Sequence, residues 1–231
     1  GISSPAVTSP INYSRGFTHE NAAIAASLSG AQLSLEYDTG EDDNNTNKGY
    51  GAEIGYGNGN VGAMAGYYKR DCDNCEGRAG GLVGVGGSSF TFGIGYREEN
   101  HYSIGLLMGQ SGSNRIGIIG EFVDSEDDTQ DMTSAGIGWS YNAKSWVFAL
   151  DASKQTVENG QNNDVVLVTP GLRVGADFLS ISISYDMYTN DKNEVYDDHT
   201  WFGIGFKGNS GQLAIYHDYV NDWSLVGSFW F

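Results

Sequence analysis

Four histidines, His19, His101, His199 and His217, are the side chains able to do acid–base work near neutral pH. Two of them adjoin carboxylates, as Asp198–His199 and His217–Asp218. Neighbouring residues on a strand point to opposite faces, so neither pair can share a proton-transfer path if these stretches are extended. His101 falls in the polar stretch REENH, read as a connector. A triad needs its members gathered on one wall, and nothing in the spacing does that. No catalytic residue is assigned, and no enzymatic activity is expected.

The two cysteines, Cys72 and Cys75, stand in DCDNC. A CxxC is a redox pair, half a metal site or a small disulfide. Zinc would need two more soft ligands, and no second cysteine pair exists. No βαβ pattern of the thioredoxin kind surrounds it. A disulfide or idle thiols in an acidic loop is the expectation. The acidic runs GEDDNN, DCDN and DSEDD could bridge Ca²⁺ or Mg²⁺ loosely through carboxylates. None has the glycine bend and distal glutamate of a dedicated calcium loop, so no metal site is assigned and no cofactor is expected.

These groups are set in an unusual composition. Over 231 residues there are 34 Gly and 3 Pro, 18% charged residues and 13% aromatics. A disordered chain lacks aromatics, and strong helix formers are thin here. The net charge of −17 argues against nucleic acid, whose phosphates need clustered Lys and Arg. No apolar run approaches the ~20 residues of a spanning helix. No basic-then-apolar leader opens the sequence, so a signal peptide is expected to have been removed.

From residue 31 onward, fourteen segments alternate with period two, beginning AQLSLEYD, GYGAEIGYG and NVGAMAGYYK and ending WSLVGSFWF. Most are about eight to ten residues long, the signature of half-buried strands. Their connectors alternate between short, nearly uncharged pieces such as GNGN and NAKS and longer acidic ones such as VDSEDDTQD. In an antiparallel meander, alternate connectors share one end of the sheet. One end is therefore expected to be tight and bland, the other long and anionic.

The two faces of the segments decide the environment. One carries Leu33, Leu35 and Tyr37, then Phe90, Phe92, Ile94 and Tyr96, then Leu179, Ile181, Ile183 and Tyr185. The other carries Ser34 and Glu36, then Thr91, Gly93 and Gly95, then Ser180, Ser182 and Ser184. Water-facing strand positions seldom run to row upon row of Gly and Ser. An apolar face toward lipid and a small polar interior are what a transmembrane barrel requires. Aromatics near segment ends, including Tyr56, Tyr102, Tyr141 and Trp146, suit interfacial girdles. The fold expected is an all-β, antiparallel, up-and-down transmembrane barrel of about fourteen strands over residues 31–231. An even count puts both ends on the periplasmic side, with residues 1–30 as an arm or an inserted plug.

The closing stretch resembles the terminal strand of bacterial outer-membrane β-barrel proteins, in the alternation Trp223, Leu225, Gly227, Phe229, Phe231. The resemblance implies recognition by the barrel-assembly machinery and closure against the first strand. The acidic loops and closing strand also resemble the oligomeric porin-like proteins of predatory bacteria. Residues 20–30, ENAAIAASLSG, resemble the N-terminal segment of fatty-acid-transporter-type barrels, although Ala22 stands where that family has Pro after Asn.

Charged positions on the inward face are Glu36, Asp38, Glu53, Arg78, Arg97, Arg115, Glu121, Asp151, Arg173 and Asp186. They either tune passage through a lumen or pair along the wall. The function expected is porin-like passive diffusion of small solutes in the outer membrane, leaning to cations at the acidic mouth. The alternative is a lipid- or hydrophobic-ligand-interacting barrel holding lipid or detergent, or a structural surface protein. Its warrant is that Met64, Leu82, Leu107, Ile119, Val147, Leu167, Val226 and Trp230 also fall on the inward face. On the outward face, Val61, Ala63, Ala65, Ala79, Gly81 and Val83 are small, and a homo-oligomer would pack there. Membrane lipid is the other expected partner.

Overall fold

A computed structural model describes residues 21–42, 45–71, 75–109, 113–125, 131–158, 163–176, 178–190, 198–218 and 223–231. Fourteen strands follow one another: β1 (Ser29–Asp42), β2 (Asn45–Asn58), β3 (Val61–Asp71), β4 (Arg78–Gly86), β5 (Phe90–Arg97), β6 (His101–Met108) and β7 (Asn114–Val123). They continue as β8 (Asp131–Asn142), β9 (Trp146–Glu158), β10 (Asn163–Ala176), β11 (Leu179–Asn190), β12 (His199–Lys207), β13 (Gly211–Asp218) and β14 (Trp223–Trp230). Each pairs antiparallel with its neighbours in sequence, and β14 returns to β1 to close the barrel.

Alternation sends the apolar set outward. Ile54 and Ile181 are each 63% exposed and Tyr56 is 70% exposed, whereas their inward neighbours Glu53 and Ser182 are 5% and 6% exposed. An apolar surface of that extent needs lipid rather than water around it. Rings border it at both ends. Tyr96 packs on Tyr102 at one end, and Tyr141 on Trp146 at the other, both with centroids 5.3 Å apart.

The seam is the one non-local pairing, and polar inward side chains reinforce it. Ser34 and Ser228 face each other in register with hydroxyl oxygens 2.9 Å apart. Four residues along, Asp38 accepts from the Ser224 hydroxyl of its register partner. Asp38 also accepts from Tyr68 Oη at 3.1 Å, although Tyr68 lies on β3, with β2 between. The Tyr68 ring crosses β2 over Gly49, where any Cβ would collide with it, and Gly51, where a Cβ would be tight against it at 3.1 Å. At the foot of the seam, Ala31 and Phe231 exchange backbone bonds of 2.9 and 3.2 Å. Gly30, at φ +82°, turns the chain there with its α-carbon against the Phe231 carbonyl.

The structure departs from the sequence reading in three places. Several strands outrun the expected eight to ten residues, β1, β2 and β10 reaching 14. The hairpin of β1 and β2 continues through residues read as loop, because backbone pairing persists after side-chain alternation has faded. The first strand starts at Ser29 rather than residue 31. His101 is the first residue of β6 rather than part of a connector, with its side chain 11% exposed. Its inward direction extends the parity of Gly105 and Leu107 along the same strand.

One strand carries an internal fault. Pro170 sits in β10, and the pairing with β11 passes from Val168–Met187 to Gly171–Ser184 without the two positions between. Proline has no N–H to give a ladder. Thr169 Oγ1 donates to Asp186 Oδ1 at 2.8 Å and ties the strands across that interval.

Candidate functional site

The lumen is not empty. Residues 22–27, AAIAAS, form a short 3₁₀ turn (Ala22–Ser27) inside the barrel, with Ala22, Ala23, Ala25 and Ala26 fully buried. Asn21 caps it, its Oδ1 accepting from Ala23 N at 3.1 Å. The same side chain donates through Nδ2 to the backbone carbonyls of Leu106 and Ile118, each at 3.1 Å. One amide thus anchors the segment to β6 and β7 together.

Glycines make this seat. Gly57, Gly62, Gly84, Gly93 and Gly105 lie on five consecutive strands and are direct register partners, each of the next. The row follows the segment. Gly57 lies under Leu28, Gly62 under Ala25, Gly84 under Ala26, Gly93 under Ala22 and Gly105 under Asn21. A Cβ at Gly84 would stand 2.6 Å from Ala26 N, and at the other four the overlap is as severe or worse. Since β3, β4 and β5 are paired on both sides, the wall cannot yield, so only glycine admits the segment. Met64 and Leu82 fill the remaining space beside it, against Ile24 and Leu28. Two of the apolar inward residues are therefore accounted for by an internal partner.

The remaining inward wall is small and polar. Ser134, Ser140, Ser153, Gln155, Ser182 and Ser184 are buried there, with Val147, Leu167 and Val226 between them. Tyr216, 1% exposed, lies across Gly203. The predicted charged residues gather in groups along this wall. Arg97 Nη2 lies 2.5 Å from His101 Nδ1, and His101 Nε2 lies 3.4 Å from Glu121 Oε1. A guanidinium can only donate, so Nδ1 accepts and Nε2 carries the proton toward Glu121. Arg78 pairs with Glu99 at 2.5 Å. Asp186 accepts from Thr169 and from Trp201 Nε1, the latter at 3.2 Å. Asp151 is buried beside this pair, opposite Thr169 in register. Glu53 is buried on β2, and Glu36 is half-buried on β1. Arg115 and Arg173 stand apart from these carboxylates, toward the end of the barrel where β8 turns into β9.

Other candidates separate. Asp198 accepts from Tyr188 N and the Tyr185 hydroxyl, which hold its carboxyl below the usual carboxylate range. His199 faces inward against Asp186 in register, while His217 stacks on Trp223 with ring centroids 4.1 Å apart. The ring stacking and the inward pairing leave the two histidines in different surroundings. Cys75 is disulfide-bonded, and Cys72 lies outside the described residues. So do His19 and most of the acidic runs considered for Ca²⁺ or Mg²⁺; among the described residues, no cluster of three or more His, Cys, Asp or Glu could hold a metal. Val61, Ala63, Val83 and Ala65 face outward and are exposed, with Ala79 and Gly81 half-buried between them. Trp223, Leu225 and Phe229 of β14 also face outward.

What the periodicity could not show was the glycine row. The glycines were legible as a small inward face, but their alignment across five strands depends on register, which no single segment fixes.

No protein-family model matches the chain, and no curated protein matches it. Among solved structures it resembles the TodX monoaromatic hydrocarbon channel (a deltaS2 mutant), with a TM-score of 0.63, 11% identity and 90% of each chain covered. It also resembles a bacterial polysaccharide outer membrane secretin, with a TM-score of 0.62, 11% identity and coverage of 88% of this chain and 99% of the other. For the Acinetobacter baumannii outer membrane protein Omp33 the TM-score is 0.55 at 9% identity, covering 89% and 100%. At such identities the likeness is one of fold, and the chain has the closed fourteen-stranded architecture of bacterial outer-membrane β-barrel proteins.

Proposed function

We propose that the protein is an integral outer-membrane channel for small solutes whose lumen is plugged by residues 21–28. The observation that carries this reading is the glycine row, a seat shaped for a chain segment on one half of the inner wall. The opposite half keeps small polar side chains, the lining of an aqueous path. The resemblance to a hydrocarbon channel and to Omp33 supports a channel in general terms. The tight-turn end faces the periplasm in this reading, and the acidic connectors face outward. Focusing of cations at that anionic mouth favours their entry. No group on the wall is assigned to bond-making chemistry. In liposomes, the protein should admit small sugars, and a KCl gradient should give a reversal potential of cation-selective sign. Failure to admit any solute would remove the channel reading; an anion-selective potential would remove the cation preference alone.

A second reading, passage or retention of a hydrophobic ligand, is supported by Val147, Leu167 and Val226 on the inner wall. Stoichiometric lipid in mass spectra of protein extracted in mild detergent would favour it over an aqueous path. Closing-strand recognition by the assembly machinery remains part of the proposal, through Trp223, Leu225, Phe229 and Phe231. The small outward patch on β3 and β4 is proposed as an oligomer face. Replacing Ala63 by Phe should then reduce the particle mass measured by light scattering in detergent. A wild-type monomer, or an unchanged oligomer, rules that face out.

A further inference from the structure

His101 stands between opposite charges on the lumen wall, toward the acidic end of the barrel. It opens β6 directly across from Arg97 of β5, its register partner, and Glu121 of β7 lies diagonally on its other side. The His101 and Glu121 side chains are 11% and 10% exposed, so little water screens what these groups do to one another. Arg97 Nε is buried as well, with no acceptor among the described residues. The bond from Arg97 Nη2 to His101 Nδ1 is the one that holds this guanidinium to the wall. Among the described residues, Arg78 and Glu99 are the other charges close to Arg97, and they pair with each other at 2.5 Å. Glu98 accepts from Ala79 N at 2.8 Å. Asp124, just past β7, is exposed on the outward parity of Phe122.

This arrangement exists only while the imidazole is neutral. Nδ1 must present a lone pair to Arg97, and a doubly protonated ring has none. An imidazole takes up its second proton in the range of about pH 8 to 5. His101 would then donate at both nitrogens, keep Glu121, and turn an N–H and a positive charge on Arg97. Two donors of like charge do not stay at bonding distance. The nearby carboxylates give Arg97 no replacement, because Glu121 is engaged by His101 and Glu99 by Arg78. We infer that His101 is a proton-operated latch. Neutral, it holds Arg97 against the wall; protonated, it frees the guanidinium into the lumen and adds positive charge near the anionic mouth. Charged side chains along a lumen set which ions pass, so acid should weaken the preference for cations. That consequence rests on the channel reading and names a regulation of it, whereas the latch itself does not depend on conduction.

Two readouts keep the latch and the channel apart. Nitrogen NMR of the full chain in detergent micelles follows the latch alone, with His101→Gln and Arg97→Gln assigning the signals. At about pH 8 the His101 ring should be neutral and protonated at Nε2; at about pH 5.5 both nitrogens should carry protons, and the Arg97 Nε signal should move with the same midpoint. At the lower pH, Arg97 Nε–H should exchange about tenfold faster in the wild type than in His101→Gln, which keeps an acceptor for Arg97 and takes up no proton. A ring already doubly protonated at the higher pH, or an Arg97 signal indifferent to the ring's titration, overturns the latch whether or not the barrel conducts. Reversal potentials in planar bilayers over the same range read the consequence. Wild-type permeability for cations over anions should fall about twofold or more, and in His101→Gln it should stay nearly flat. In Arg97→Gln the fall should shrink to the share of the His101 charge alone. An equal fall in all three proteins assigns the response to other groups and overturns the latch as a control on passage. A barrel that passes no ion removes the channel reading and leaves the NMR outcome to decide the latch.

Discussion

Replacing Gly93 by Val is expected to expel residues 21–28 from the lumen. The new Cβ would overlap the carbonyl of Ala22 and lie 2.5 Å from Ala23 N, and β5 is locked between β4 and β6. Leaving the seat costs the Asn21 bonds to Leu106 and Ile118 and re-exposes four buried alanines. Each lost hydrogen bond is worth about 1 kcal/mol, and burial of the alanines adds to it, so about 2–4 kcal/mol of stability should disappear. The sharper readout is amide exchange at Ala23, Ile24 and Leu28, whose N–H groups are bonded within the segment. They should be protected in the wild type and exchange rapidly in the variant. Gly227→Ala is the control, because a Cβ there meets only ordinary contacts at 3.7 Å and beyond. Continued protection in Gly93→Val would show that the segment has another hold.

The second large effect concerns closure. Asp38 bonds across the barrel wall on both sides, to β14 through Ser224 and to β3 through Tyr68. Bonds to a charged acceptor contribute about 1.5–3 kcal/mol each, so Asp38→Ala should cost about 3 kcal/mol or more. The expected result is a lower temperature for loss of the heat-modifiable gel band. Tyr68→Phe should produce a smaller drop, and in the Asp38→Ala background it should add little, since the shared bond is already gone. Full additivity of the two substitutions would mean that the Tyr68 hydroxyl contributes through a partner other than Asp38, such as Arg70.

The outer half of the structure was legible in the sequence because lipid imposes one rule on every strand. Leu35, Ile54 and Phe92 read as outward by parity alone, and they are outward. The closing strand was legible for the same reason, in Trp223, Leu225 and Phe229. The interior obeys relations between strands. That Tyr68 reaches Asp38 over two glycines, or that Gly57 through Gly105 align under Ala22–Ser27, follows from register and not from any local pattern. His101 was misplaced for a related reason: a polar stretch reads as loop, but the strand begins inside it. Met64 and Leu82 looked like a ligand-binding lining because their partner, Ile24 and Leu28, came from a segment whose place in the lumen the periodicity did not fix.

Single-channel conductance in planar bilayers, wild type against Gly93→Val in the same salt, tests the central claim most directly. A barrel plugged by residues 21–28 should show small or rare openings, and the variant should conduct several-fold more, with the same sign of selectivity. Equal conductance in the two, with loss of amide protection verified in the variant, would contradict the claim that this segment closes the path.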